Sequence, residues 1–200
     1  MHQNRTAQIW RAGGMIWLIS ATFFFALLDL YFAKLTVFST FCIGTFIFIV
    51  TAIVFTWSIK TILLAKQLPD EKSGHGIQRG SYMRRWFIVI LILEIVVLNS
   101  ATFVLLKLNH FQYIVPVDIL IVAIHFIPLG RIFAMPIYYF LGIIVSSIAI
   151  LTMLLVSETA HIGNLIMLAA IPSFCFIFLN WMTVIYILRD GTKHLKKTPI

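Results

Sequence analysis

Six apolar runs, each about as long as a membrane crossing, alternate along the chain with short polar or basic connections. A helix needs about 20 apolar residues to cross about 30 Å of hydrocarbon. Windows of that size predict spans near 14–32, 37–57, 86–106, 113–129, 137–156 and 164–187. The runs are apolar on every side instead of alternating in segments of about ten residues, which argues against a membrane β-barrel. The expected fold is therefore all-α: a polytopic membrane helical bundle of six transmembrane helices, one domain over residues 1–200. The longest connection, about 60–85, starts as a continuation of the second helix; Pro69 is expected to stop it, and Ser73-Gly74-His75-Gly76 reads as a turn. The first run follows Arg5 and Arg11 as a signal peptide would. It exceeds an h-region of about 7–15 residues, contains Asp29 and lacks a small-x-small cleavage site, so a retained helix is expected.

Composition supports this class. The chain is 61% hydrophobic with a mean hydropathy of +1.01. Only 11% is charged, against about 25% in soluble domains. A net charge of +8 would suggest nucleic acid or an acidic partner in a soluble protein. Here the cations sort by side of the membrane. Arg5, Arg11, the six in 60–85, Arg131, Arg189, Lys193, Lys196 and Lys197 make thirteen on one side, against Lys34 and Lys107 on the other. The positive-inside rule then predicts both termini in the cytoplasm (N-in/C-in); the plasma membrane is the expected location. Membrane lipids are expected partners, a homo-oligomer or a membrane partner protein is compatible, and nucleic acid is not expected. The basic cluster of 60–85 reads first as a topology signal and second as a site for anionic lipid, at about 1 kcal/mol per residue.

Because lipid is as apolar as leucine, helices must associate through close-packed small residues or interhelical hydrogen bonds. Gly142/Ser146 and Ala169/Ser173 have the four-residue spacing of packing seams, and the first span offers Ala21, Thr22 and Ala26. Pro172 removes the helical donor of the Leu168 carbonyl and predicts a kink. Trp10, Trp17, Trp57, Trp86, Tyr138, Tyr139 and Trp181 fall largely near span ends, as interfacial aromatics do.

No Cys/His cluster, nucleophile-elbow serine or glycine-rich phosphate loop occurs, so neither catalytic residues nor a cofactor or metal are expected. Cys42 and Cys175 read as small buried residues. What remains is a set of polar groups inside the runs: Asp29, Glu94, Asn99, Asp118 and His125. A charge at the bilayer centre costs about 2.5–3.5 kcal/mol on insertion scales, so such groups are paired, wet or useful. Asp118 and His125 are seven apart, hence about 20° apart around a helix and about 10 Å along it, on one face. Alternating span directions set Asp29 level with Asp118 near the outer end, Glu94 closer to His125, and Asn99 near the midplane. If the helices meet, an outer carboxylate pair and an inner carboxylate–imidazole pair result. Three function classes follow: a small transporter or permease-like protein with a proton- or cation-coupled site, Asp118 and His125 lining its pathway and Glu94 as partner; a non-transporting protein that binds or assembles a partner; and a membrane-embedded lipid-acting enzyme.

The stretch His125-Phe126-Ile127-Pro128-Leu129-Gly130-Arg131, followed by a linker and Tyr138-Tyr139, resembles a segment of a group of small multi-span bacterial membrane proteins. That group is of uncharacterised function and carries a His-Phe-x-Pro motif; Gly13-Gly14-Met15-Ile16-Trp17 is also similar to it. The resemblance implies a bacterial membrane protein and adds Phe126, Pro128, Arg131, Tyr138 and Tyr139 to the residues of interest, without supplying an activity.

Overall fold

The computed structural model describes Phe23 and residues 37–66, 74–162 and 165–196. Five helices carry the described chain: α1 (Val37–Lys66), α2 (Gly74–Lys107), α3 (Ile114–Phe133), α4 (Pro136–Leu155) and α5 (Met167–Lys196). A 3-10 turn, Phe111–Tyr113, leads into α3, and a two-residue antiparallel ladder, His161–Ile162 with Leu165–Ile166, joins α4 to α5. Each of the five contains a stretch long and apolar enough to cross a membrane. Their outer faces suit lipid: Leu154 and Leu155 are 74% and 78% exposed, among a large exposed surface of Phe, Ile and Leu. At about 25 cal/mol per Å², that surface would be strongly unfavourable in water. This is an integral, multi-pass membrane protein. The expected first span, 14–32, and with it Asp29, lies outside the described residues apart from Phe23.

Helix α3 is the hub. It packs on α2, α4 and α5, while α1 lies against α5. The tightest seam joins α3 to α4, where a side chain on Gly142 would meet the Ala123 carbonyl oxygen at 2.8 Å. Two turns of α3 away from Ala123, Gly130 lies under the Tyr139 ring, whose atoms would stand 3.0 Å from an added Cβ. The core is aromatic: Phe126 stacks on Tyr138 and Phe176 at centroid separations of 6.1 and 6.4 Å. Tyr138, expected at the interface, is therefore a core residue, 1% exposed. It enters the bundle because α4 starts at Pro136 and its first turn lies against the end of α3.

Two left-handed residues end helices. Asn109 (φ 59°) closes α2, with the His110 N–H donating to the Leu105 carbonyl at 2.9 Å. Ala134 (φ 52°) closes α3 the same way, the Met135 N–H reaching the Gly130 carbonyl at 3.0 Å. Asparagine tolerates this conformation, whereas a Cβ there costs alanine about 1–2 kcal/mol. Ala134→Gly is accordingly expected to stabilise the protein by about 0.5–1 kcal/mol, read as a higher Tm in detergent.

The expected boundaries shift in three places. Gly74-His75-Gly76 is the start of α2 and not a turn, so most of the expected 60–85 loop is helical extension. Glycine weakens a helix by about 1 kcal/mol without stopping it. Helix α3 runs past 129 to Phe133, because Pro128 withholds one N–H without breaking the turn. Residues 165–166 pair as a strand, so α5 starts at Met167 and then continues through Pro172.

Candidate intramembrane polar site

Helices α2 and α3 run antiparallel through a short turn, which matches ascending positions of one with descending positions of the other. Two polar pairs sit on that register. His125 Nδ1 lies 3.1 Å from Glu94 Oε1. Toward the α2–α3 turn, Thr102 Oγ1 donates to Asp118 Oδ1 at 3.4 Å. Asp118 and His125 thus present the same face of α3, as their seven-residue spacing predicts, and α2 answers with two groups eight residues apart.

The Glu94–His125 pair is the more unusual. Glu94 and His125 are each 8% exposed. Their contact is close but not aligned as a hydrogen bond, and Glu94 Oε2, His125 Nδ1 and His125 Nε2 are buried without a hydrogen-bond partner. Such orphaned atoms are rare in folded proteins, and each costs about 1–3 kcal/mol of lost solvation. Beside the pair a lateral cavity of about 240 Å³ opens between α2 and α3. Glu94 and His125 line it together with Ile90, Leu93, Val97, Ile121, Ile124 and Pro128.

The resembling motif divides around this site. His125 faces α2 and the cavity, while Phe126, about 100° further round the helix, enters the aromatic core. Pro128 lines the cavity, Arg131 is exposed in the last turn of α3, and Tyr139 covers Gly130. Asn99 does not join the pair: exposed on α2, it donates to the Ile95 carbonyl at 2.7 Å. Five positions from Glu94, it is turned about 140° around the axis. Glu158 is exposed, as expected of a loop residue, but it accepts from Gln112 Nε2 and Tyr113 OH, both at 2.7 Å, and so ties the α4–α5 connection to the turn before α3.

Thr102 and the apolar lining are the functional candidates that composition does not reveal. The signal for Thr102 is register: eight residues beyond Glu94, it meets the group seven residues before His125. Among the described residues no three His, Cys, Asp or Glu side chains gather as metal ligands. No family model matches the chain, and no curated protein and no solved structure matches it.

Proposed function

We propose that this protein is a small permease-like transporter whose proton-exchanging site is the Glu94–His125 pair, in a bacterial plasma membrane with six spans and both termini cytoplasmic. The observation that carries the reading is the pair itself: two ionisable side chains, nine-tenths buried, with three unpartnered polar atoms beside a cavity. Intramembrane Glu and His mark proton relays and substrate pathways, and imidazole is the side chain that exchanges a proton near neutral pH. A purely structural pair would be expected to satisfy its own atoms. Asp118, held by Thr102 about 10 Å along α3, is the less available group.

A second reading, a protein that assembles a partner, draws on α2, whose membrane stretch is the least buried of the five and which packs mainly on α3. The lateral cavity would suit a lipid-acting enzyme, but among the described residues no hydroxyl or thiol lines it.

The test is a thermal-stability panel of solutes on the purified protein at pH 5–8, followed by flux of any binder into proteoliposomes under a pH gradient. A solute that binds only the folded state adds about 2.7 kcal/mol at a hundredfold excess over its Kd. That gain is expected to vary with pH, to vanish in Glu94→Gln and His125→Gln, and to persist in Asp118→Asn. A gain that survives both pair variants, or a binder that the pH gradient does not move, sinks the transport reading in favour of the second.

A further inference from the structure

The groove beside the pair also bears on what the site carries, an inference that rests on the proton-exchanging reading above. We propose that the groove takes a primary ammonium ion on a short apolar chain, entering sideways from the lipid, in exchange for the proton of the Glu94–His125 pair.

The unpartnered groups are acceptors. Glu94 Oε2 is free, and His125 Nε2 is free and accepts once the imidazole is neutral with its proton on Nδ1, toward Glu94. A third acceptor comes from the backbone. Pro128 has no N–H to give the Ile124 carbonyl, and both residues line this groove. A primary ammonium brings three donors and no acceptor, the complement of this set.

Charge selects the same ligand. Carboxylate with imidazolium is neutral, and so is carboxylate with imidazole and one ammonium. The exchange therefore keeps zero net charge at a depth where net charge is expensive. No covalent bond forms or breaks; the imidazole proton leaves to water as the ammonium enters. An anion would instead need a second proton, on Glu94, to keep the site neutral, and would still meet the Ile124 carbonyl. Among the described residues no other ionisable side chain lines the groove. On α3, Asp118 and Arg131 lie seven and six residues from His125; on α2, Arg85 and Lys107 lie nine and thirteen from Glu94. Helices α4 and α5, packed on α3 through Phe126, bring Tyr138, Tyr139 and Cys175, none of which reaches it.

Size limits the chain. The rest of the lining is aliphatic, and about 240 Å³ is smaller than the about 300–1,000 Å³ of drug-sized pockets. One short alkyl group fills it, and the groove opens beside the exposed side chains of Leu93 and Ile124.

The experiment is calorimetry on the full chain in lipid nanodiscs, titrated with n-hexylammonium and, at equal chain length, n-hexanol and n-hexanesulfonate. Runs at pH 6 and pH 8 in two buffers of different ionisation heat count protons. Hexylammonium is expected to bind at least tenfold more tightly than either control at pH 8. At pH 6 it is expected to bind more weakly and to release close to one proton. Leu93→Trp, which fills the groove and leaves the pair intact, and Glu94→Gln are each expected to weaken it at least tenfold. Controls that bind equally well, or hexylammonium binding without proton release at pH 6, overturn the ammonium assignment. The two proposals fail separately. A different solute bound at the pair and moved by the pH gradient, with no hexylammonium binding, defeats this inference alone. Hexylammonium bound with proton release but never moved across proteoliposomes defeats transport and leaves the ammonium site standing.

Discussion

Gly142→Leu is expected to prevent the bundle from accumulating in folded form, the largest stability effect of any single substitution in the described seam. The reason is backbone and not side chain. Even a Cβ on Gly142 would stand 2.8 Å from the Ala123 carbonyl oxygen, 3.1 Å from Ile127 Cγ1 and 3.4 Å from Phe126 Cβ. A carbonyl on a buried helix cannot rotate away, so α3 and α4 must separate. Overpacking a core costs about 1–3 kcal/mol and sometimes more; Gly142→Ala should fall in that range and Gly142→Leu beyond it. Separation also disturbs the stacking of Phe126 on Tyr138 and Phe176. Ile127→Ala is expected to recover only part of the loss in Gly142→Ala, because it relieves the side-chain contact and leaves the carbonyl. Gly130→Ala should be milder, since its obstacle is the ring of Tyr139, which can tilt. Membrane yield and Tm in detergent check the series; a Gly142→Leu protein as stable as wild type would mean that α3 and α4 do not pack through this contact.

The same seam shows what the sequence could and could not say. Gly142 was readable as a packing residue because small residues are what membrane helices need where they touch. The face shared by Asp118 and His125 is readable from helical periodicity, and the similar depth of Glu94 and His125 from span direction, but not that the two helices meet there; both pairs lie on one antiparallel register. Identity of the buried faces was not readable elsewhere. These helices are apolar all round, so hydrophobicity does not separate the lipid side from the core side, as it does for a surface helix in water. Tyr138, expected at the interface, thus lies in the core, and Asn99, expected near the midplane among the polar groups of the runs, turns away from the Glu94–His125 pair. The groove was invisible for the same reason: Ile124 and Pro128 gain meaning only once α2 stands beside them. Gly74-His75-Gly76 misled differently, since local turn chemistry yields to a helix that continues for 34 residues.

Glu94→Leu/His125→Leu separates architecture from activity, and it is expected to give a folded bundle with no proton-coupled function. Removing one partner alone leaves the other buried without the group it faces. The single variants should therefore lose about 1–3 kcal/mol, the penalty for an orphaned buried polar group. Removing both leaves two aliphatic side chains between helices that are otherwise lined by Ile, Leu and Val at this level. Replacing a buried ionic pair with apolar residues is often neutral or stabilising by about 1–4 kcal/mol, so the double variant should match or exceed wild type in Tm. The double-mutant cycle then has a definite sign: the two losses are not additive, and the second substitution restores what the first removed. Coupled solute binding, by contrast, should stay absent in all three variants: each single variant lacks one member of the pair that exchanges the proton, and the double variant lacks both. A double variant less stable than either single variant would make the pair structural glue, because α2 would then depend on it for its place against α3. A stable double variant without proton coupling would mean that a charge-bearing pair persists in an apolar seam for what it does there, and not for the bundle it sits in.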